Sequence, residues 1–189
     1  EWFESRGISQ NTLDELKVGQ GPEYMPQTGK SENTIQFNYI IGDQLINIKY
    51  RDGRKNFKLY KGAEKVFYNI NSVVGYDNCV ITEGEMDVLA LHEAGIKNVI
   101  SVPNGATLTH NNLDYLDNCI DYFEGKTKII LAVDTDEPGL ALRSELVRRL
   151  GAEVCFLVDF KECKDANEYL IKHGKEKLQE CVTKARAYP

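Results

Sequence analysis

In the second part of the chain, short apolar segments alternate with segments of helical pattern. The apolar segments, which we predict to be strands, are Cys79–Thr82, Val99–Val102, Lys128–Val133 and Glu153–Val158. Helices are predicted at about Glu85–Ala94, Asn111–Phe123 and Pro138–Leu150, and through the remainder of the chain. Strands that alternate with helices build a parallel sheet with both faces covered. The sequence therefore predicts an α/β domain of about four parallel strands with flanking helices over residues 76–189.

Residues 1–75 show a different pattern, in which apolar and polar residues alternate one by one. This period is typical of half-buried antiparallel strands. We predict three such strands, at Thr34–Ile40, Gln44–Tyr50 and Phe57–Tyr60. An Asp-Gly turn at Asp52 joins the last two, and a short helix is predicted around Thr12–Leu16, ended by the following glycines and Pro22. We therefore expect a smaller antiparallel α+β subdomain at 1–75, ahead of the domain at 76–189.

The net charge of −6 comes from 23 basic and 29 acidic residues, which are spread unevenly. Residues 1–75 hold ten basic and nine acidic residues, whereas residues 76–189 hold thirteen and twenty. Within 45–65, seven basic residues are opposed by only two acidic ones. The seven are Lys49, Arg51, Arg54, Lys55, Lys58, Lys61 and Lys65. The acidic total argues against nucleic acid as a partner, but this local cluster supplies the Lys and Arg that phosphates require.

Composition excludes several classes of protein. No apolar run approaches the ~18 residues of a membrane-spanning helix, so we expect no membrane partner. The five cysteines are odd in number and show no C-x-x-C spacing, which argues against a zinc ribbon or a disulfide framework. We expect reduced thiols in a cytosolic-type compartment. The chain starts without Met or a signal peptide, which suggests a piece of a longer protein.

Acidic residues follow three of the predicted strands. Glu83 and Asp87 follow the first strand, Asp134 and Asp136 the third, and Asp165 the fourth. Because parallel strands end at the same edge of a sheet, we expect these side chains to converge. Crowded carboxylates without His or Cys suit Mg²⁺ or Mn²⁺, which commonly share their coordination with substrate phosphates. The pattern predicts metal-assisted phosphoryl or nucleotidyl transfer.

Each acidic cluster also has a simpler explanation. Carboxylates at the start of a helix complement the helix dipole, and we expect this of Glu85 and Glu137. A D-x-D pair after a strand also occurs in phosphatases and in receiver domains. The presence of three clusters at strand ends favours the metal site over isolated helix-start acids.

The acidic motifs together resemble the TOPRIM domain shared by primases and topoisomerases, which has a Rossmann-like fold. The matching motifs are Glu83-Gly84-x-x-Asp87, the turn Gly105-Ala106-Thr107 and Asp134-x-Asp136-x-x-Gly139. The segment Lys164-Asp165-Ala166-Asn167-Glu168 is similar to the primase half of phage-type bifunctional primase–helicases and their Twinkle relatives. Upstream, Ser5–Ser9 with Thr12, and the basic hairpin from Lys49 to Lys58, look like the first part of a primase catalytic core.

The resemblance implies a role for each acidic residue. Glu83 would be the acid/base or metal-supporting carboxylate near the primer 3′-OH. Asp134 and Asp136 would hold magnesium or manganese, with Asp87 and Asp165 in support. The implied catalytic residues are Glu83, Asp87, Asp134 and Asp136, and the implied metal ligands are Glu83, Asp134, Asp136 and Asp165.

The resemblance also implies roles for basic residues. Lys49 and Lys55 would contact the phosphates of the incoming nucleotide, and Lys58 is a further candidate. The candidates for binding nucleic acid are Arg6, Arg51 and Arg54. The alternatives are a solvated edge strand guarded by lysines and, for Arg6, a structural salt bridge.

By resemblance, the chain is a DNA primase core that makes short RNA primers on single-stranded DNA by metal-assisted nucleotidyl transfer. Its partners would be single-stranded DNA template, nucleoside triphosphates and a helicase domain or partner helicase, in the cytoplasm of a bacterial or phage-infected cell. Two alternatives remain open. A TOPRIM nuclease would cleave nucleic acid with the same metal site, and a non-catalytic module would only bind single-stranded DNA.

Overall fold

The computed structural model describes residues 1–106 and 113–189. Thr107 of the expected Gly-Ala-Thr turn, and the start of the helix predicted from Asn111, lie outside the described residues. Within the described ranges, the predicted architecture is confirmed. An antiparallel sheet precedes a mostly parallel sheet flanked by helices.

Two short helices and a four-stranded antiparallel sheet form the first part of the chain. The helices are α1 (Trp2–Ser5) and α2 (Gln10–Glu15). The strands, in their spatial order, are β1 (Gly19–Met25), β2 (Lys30–Ile41), β3 (Gln44–Asp52) and β4 (Phe57–Leu59). Strands β2, β3 and β4 correspond to the three predicted strands.

Gly19 does follow the end of α2, but the turn that Gly21-Pro22 indicates is not formed, because these residues belong to β1. Strand β1 lies at the edge of the sheet and pairs with β2 alone, with Pro22 opposite Asn33. Proline has no N–H to donate, so a strand can contain it at an edge where one side of the backbone has no neighbour. Pairing with β2 therefore outweighs the preference of these residues for a turn.

The second sheet contains five strands. They are β5 (Asn78–Thr82), β6 (Val99–Ser101), β7 (Lys128–Ala132), β8 (Cys155–Leu157) and β9 (Arg186–Ala187), in the spatial order β6-β5-β7-β8-β9. The first four are parallel, and β9 pairs antiparallel with β8. Strand β9 was not predicted, because two exposed residues carry no hydrophobic period. Glu153, which we expected in the fourth strand, lies in a 3₁₀ turn just before β8.

Helices cover both faces of this sheet. They are α3 (Glu85–Glu93), α4 (Asp114–Asn118), α5 (Glu137–Leu150), α6 (Ala166–His173) and α7 (Lys175–Thr183), with 3₁₀ helices at Ile70–Val73, Ile120–Phe123 and Ala152–Val154. Pro138 lies in the first turn of α5, where its missing N–H has no intrahelical partner to lose. Gly95 follows the end of α3 with φ of +87°, a conformation that favours glycine.

A continuous hydrophobic core joins the two sheets. Phe37 and Tyr39 of β2 pack against Tyr68, with ring centroids 5.9 and 5.2 Å away. The Tyr68 backbone N–H in turn donates to the carbonyl of Ser101 at 2.9 Å, at the end of β6. Residues before position 75 thus pack directly on the second sheet, and the boundary between 75 and 76 stays a prediction.

One carboxylate ties the start of the chain to the second domain. Glu93, at the end of α3, accepts hydrogen bonds from Ser9 N at 3.1 Å and Ser9 Oγ at 2.9 Å. It also accepts from Thr12 Oγ1, and Lys175 Nζ lies 2.9 Å from its Oε1. Ser9 is the N-cap of α2, so this contact fixes the helix against α3.

Among the described residues, no helix has the length and apolar character needed to cross a membrane.

Candidate metal centre and basic face

Five carboxylates meet at the carboxyl ends of β5, β7 and β8. In one group, oxygen atoms of Glu83, Asp134 and Asp136 lie within 4.8 Å of one another. In a second group, oxygen atoms of Asp87, Asp134 and Asp165 do the same. Asp134 belongs to both groups. The structure therefore brings together every acidic residue that the sequence singled out at the strand ends.

Helix starts hold two of these carboxylates in place. Asp136 is the N-cap of α5, where its Oδ1 accepts from Gly139 N at 3.0 Å. Asp165 is the N-cap of α6, where its Oδ1 accepts from Glu168 N at 2.8 Å. Each cap bond uses one carboxylate oxygen and fixes the direction of the other. The same residues can thus start a helix and face the centre.

Gly139 allows the loop after β7 to close on Glu83. The Oε1 atom of Glu83 accepts a hydrogen bond from Asp134 N at 3.1 Å. A Cβ atom on residue 139 would lie 2.1 Å from the Asp134 carbonyl oxygen and 2.7 Å from Glu83 Oε1. No side chain fits at these distances, so the D-x-D-x-x-G spacing has a steric reason in this fold.

Burial and mutual repulsion raise the pKa of three of these carboxyls. The pKa of Glu83 is raised to about 7 by burial and by the charges of Asp134 and Asp136. Burial likewise raises the pKa of Asp134, against the opposing charge of Lys164. Asp87 is buried, and burial with the charge of Asp165 raises its pKa well above the ordinary value. The centre thus concentrates negative charge that a bound cation would relieve.

Lys164, which opens the Lys164–Glu168 motif but had no expected role, is a counter-ion of the centre. Its Nζ lies 3.4 Å from Asp134 Oδ2 and 3.8 Å from Asp136 Oδ2. The side chain is 55% exposed, so it can move away when a cation binds. In the sequence, only its position next to Asp165 indicates that Lys164 lies close to the centre. The neighbouring Asn167 donates its backbone N–H to Asp87 Oδ1 at 3.2 Å.

The pairing register of the first sheet decides which basic residues face the second domain. Directly paired residues of adjacent strands point to the same face of a sheet. Lys49 pairs with Phe37, and Arg51 with Ile35, so both share the face that packs on the second domain. Lys58 pairs with Tyr50 and lies on the opposite face, where its Nζ is 2.6 Å from Glu23 Oε1.

Lys49 reaches across to the loop that carries Glu83. Its Nζ lies 2.9 Å from Glu85 Oε1 and 3.2 Å from Oε2, and both side chains are at most 10% exposed. The hydroxyl of Tyr39 also donates to Glu85 Oε1. Glu85 does lie in the first turn of α3, as expected, but it is buried and ion-paired rather than a surface acid. This pair could not be predicted from the sequence, because Lys49 on β3 and Glu85 on α3 are 36 positions apart.

Two arginines flank the ring of Trp2 beside this face. The guanidinium carbon of Arg51 lies 4.4 Å from the ring centroid, and that of Arg6 lies 5.1 Å away. Burial and the like charge of Arg6 lower the pKa of Arg51. Across the described ranges, neither arginine has a carboxylate within 4.0 Å, so Arg6 makes no salt bridge there.

Arg54 and Lys55 lie in the exposed turn between β3 and β4. Asp52 holds this turn, because its Oδ1 accepts from the backbone N–H groups of Arg54 at 2.9 Å and Asn56 at 2.8 Å. Lys55 adopts φ of +64°, so the chain reverses sharply there. The turn therefore presents both basic side chains to solvent on a fixed backbone.

Comparisons with known proteins agree with this geometry. A protein family described as Toprim-like matches residues 80–170. Over 206 residues and the full chain, the sequence is 35% identical to the Primase homolog protein and 32% identical to the chloroplastic/mitochondrial Twinkle homolog protein, both of Arabidopsis thaliana. It spans 59% of the first and 28% of the second.

Among solved structures, the primase fragment of the bacteriophage T7 primase-helicase protein superimposes with a TM-score of 0.79 at 26% identity. The alignment covers 95% of this chain and 72% of the phage fragment. The chain therefore contains a Toprim-like domain at residues 80–170, and as a whole it resembles the T7 primase fragment and the plant Twinkle and primase homologues.

Proposed function

We propose that this chain is the polymerase core of a DNA primase, which makes short RNA primers on single-stranded DNA. The observation that carries the proposal is the pair of three-carboxylate groups joined at Asp134. The first sheet directs Lys49 and Arg51 toward the part of the chain that carries this centre. Acidic metal ligands beside basic phosphate ligands are what nucleotidyl transfer requires.

The donor set fits a hard divalent cation. All five side chains offer carboxylate oxygens, which suit Mg²⁺ or Mn²⁺ better than metals that prefer nitrogen or sulfur. Glu83, Asp134 and Asp136 would hold the cation, and Asp165 with Asp87 would support it or hold a second one. When bound, the cation would neutralise charge on the transferring phosphate and activate the primer 3′-OH.

The protein groups have separate tasks in this proposal. Glu83 would support the metal or accept the proton of the 3′-OH. Lys55 would bind nucleotide phosphates, and so would Lys49 when it exchanges its buried pair with Glu85 for a phosphate. Arg6, Arg51 and Arg54 would bind the nucleic-acid backbone. We leave Lys58 out of the nucleotide site, because it lies on the opposite face of the sheet and is paired with Glu23.

The names of the relatives are the basis for proposing partners and a cellular compartment for this chain. The T7 protein is named a primase-helicase, so we propose a helicase domain or partner helicase for this chain as well, together with nucleoside triphosphates and template DNA. The cytoplasm of a bacterial or phage-infected cell stays a prediction of the sequence. The chloroplast or mitochondrion of the plant relative is the alternative.

A nucleotide-incorporation assay on single-stranded DNA with Mg²⁺ or Mn²⁺ tests the proposal. We expect Asp134→Asn and Asp136→Asn to lower incorporation at least about 100-fold, because each removes a charged ligand from the centre. The exposed Asp43→Asn is the matched control and should keep full activity. Circular dichroism and thermal unfolding would show that the variants are folded. Full activity in both centre variants would refute the assignment.

The same protein incubated with plasmid and Mn²⁺ separates the two alternatives. Cleavage that depends on Asp134, without incorporation, would identify a Toprim nuclease. Binding to single-stranded DNA with neither cleavage nor incorporation would identify a non-catalytic module.

A further inference from the structure

A groove borders the loop after β7, which carries Asp134 and Asp136. It has a volume of about 680 Å³ and begins at Thr135, between the two aspartates of the D-x-D motif. Arg143 of α5 lines one wall, and Lys177 of α7 lines another. Arg186 of β9 also lines the groove. The groove is therefore built from three elements and is continuous with the loop that holds the catalytic candidates.

The groove is basic although its domain is acidic. Five basic and two acidic residues line it. These are Arg143, Lys161, Lys177, Lys184 and Arg186, with Asp159 and Glu180. Both acids are already paired, because Lys161 Nζ lies 2.6 Å from Asp159 Oδ2 and Lys184 Nζ lies 3.7 Å from Glu180 Oε2.

Three of the basic side chains that line the groove therefore have no acidic partner among the residues that line it. Across residues 1–106 and 113–189, no carboxylate lies within 4.0 Å of the charged groups of Arg143, Lys177 or Arg186. Residues 76–189 as a whole carry thirteen basic and twenty acidic residues, which is a net charge of −7. A local excess of three positive charges within such a domain is a strong exception and indicates an anionic ligand.

Arg143 gives independent evidence for a missing partner. Its Nε is buried from solvent and has no hydrogen-bond partner. A buried donor without an acceptor costs free energy that a ligand oxygen could recover. Because Arg143 lines the groove, the acceptor would come from a molecule bound there.

We propose that this groove binds the phosphodiester backbone of a single nucleic-acid strand that enters or leaves the metal centre. The proposal rests on the proposed function, since it names the surface that guides a strand of that reaction. Three unpaired cations on three separate elements can contact more than one phosphate, as a strand would offer. Template DNA and RNA product share this chemistry, so the experiment includes both.

The test compares two triple variants of the chain. The groove variant carries Arg143→Gln, Lys177→Gln and Arg186→Gln. The control carries Arg148→Gln, Lys17→Gln and Lys30→Gln, which remove the same charge from exposed positions outside the groove. Fluorescence anisotropy with labelled single-stranded DNA and RNA of equal length, at fixed Mg²⁺ without nucleotides, gives affinity as a function of salt.

For the groove variant, we expect the negative slope of log K against log salt to fall in magnitude by about 2, since each lost phosphate contact on a single strand contributes about 0.7. Affinity at low salt should fall about tenfold or more, and the control should match the parent protein. A larger loss with DNA would identify the template, and a larger loss with RNA would identify the product. Because Arg143 is partly buried, Lys177→Gln with Arg186→Gln is a second variant, with an expected fall of about 1.4.

Equal slopes for the groove and control variants would overturn the proposal. The proposal would also be overturned if the groove variant bound single strands like the parent protein but no longer bound free ATP. The groove would then be a nucleotide site. These measurements use no turnover, so they are independent of the incorporation assay. If the parent protein incorporates no nucleotides, the proposed function fails while the groove result stands.

Discussion

At the scale of single residues, Glu83 is a carboxyl whose protonation depends on burial and on its charged neighbours. Its pKa is raised to about 7 by burial and by Asp134 and Asp136, whereas an unfolded chain would hold it near 4.5. Between these two values, the folded chain keeps a proton that the unfolded chain has lost. The free energy of unfolding therefore falls as pH rises from about 4.5 to 7.

We expect the metal-free protein to lose roughly 2 kcal/mol of stability between pH 5 and pH 7.5, less than the full pKa shift implies because Glu83 is partly solvated. The Glu83→Gln variant should show a flatter dependence. Mg²⁺ should restore the stability of the parent protein at pH 7.5. Thermal unfolding in EDTA at several pH values, repeated with Mg²⁺, measures this. Stability that rises over this interval without metal would contradict the expectation.

The acidic residues of the centre could be predicted because each follows a strand in the sequence. Glu83 and Asp134 needed only the rule that parallel strands end together. Lys164 and Glu85 could not be assigned in this way. The partner of Glu85 is Lys49, which lies 36 positions earlier and on another sheet. Contacts between distant segments leave no local pattern, and side-chain partners of this kind become visible only in the folded chain.

At the scale of elements, the pairing of β3 with α3 joins the two domains through a buried charge pair. Removal of one partner leaves the other charge buried and uncompensated. We expect Lys49→Met and Glu85→Met each to lower the free energy of unfolding by about 3 to 4 kcal/mol. The double variant should lose clearly less than the sum of the two. Chemical denaturation of all four proteins gives the coupling energy.

Lys58→Met is the matched control, because its pair with Glu23 is on the opposite face and partly exposed. We expect it to cost about 1 kcal/mol or less. Additive losses for Lys49 and Glu85 would show that the two charges do not stabilise each other.

Long elements with a clear period were predicted well, as were the short apolar edge strands β4 and β6, whereas β1 and β9 were missed. Strand β3 and helix α5 follow their patterns closely. Strand β1 was missed because Gly19, Gly21 and Pro22 signal a turn, and only its pairing with β2 makes it a strand. Strand β9 has two residues, which is too few for any period.

At the scale of the whole molecule, Glu93 connects α2, α3 and α7. Its hydrogen bonds from Ser9 and Thr12, and its pairing with Lys175, lower its pKa to about 2, against the effect of burial. A lowered pKa stabilises the folded chain above the unfolded value of 4.5, and this contribution is lost as pH falls to about 2.

We expect Glu93→Gln to lower the free energy of unfolding by about 1 to 2 kcal/mol at pH 7. The difference from the parent protein should shrink as pH falls below 4.5. Glu176→Gln, an exposed neighbour on α7, should have little effect at any pH. Urea denaturation over this pH range measures the difference. A constant difference down to pH 2 would mean that the ionised carboxylate is not what holds α2 in place.

The loop Glu83-Gly84-Glu85 joins two charged contacts through a single glycine. Glu83 belongs to the metal centre, and Glu85 holds Lys49 of the other domain. A tilt of the first sheet would pull on Glu85 and hence displace Glu83, two residues away. Linked equilibria are reciprocal, so any cation that is bound more tightly in one tilt also favours that tilt. We therefore expect cation binding at the centre to be detectable at the Lys49–Glu85 contact, and loss of that contact to change the affinity for the cation.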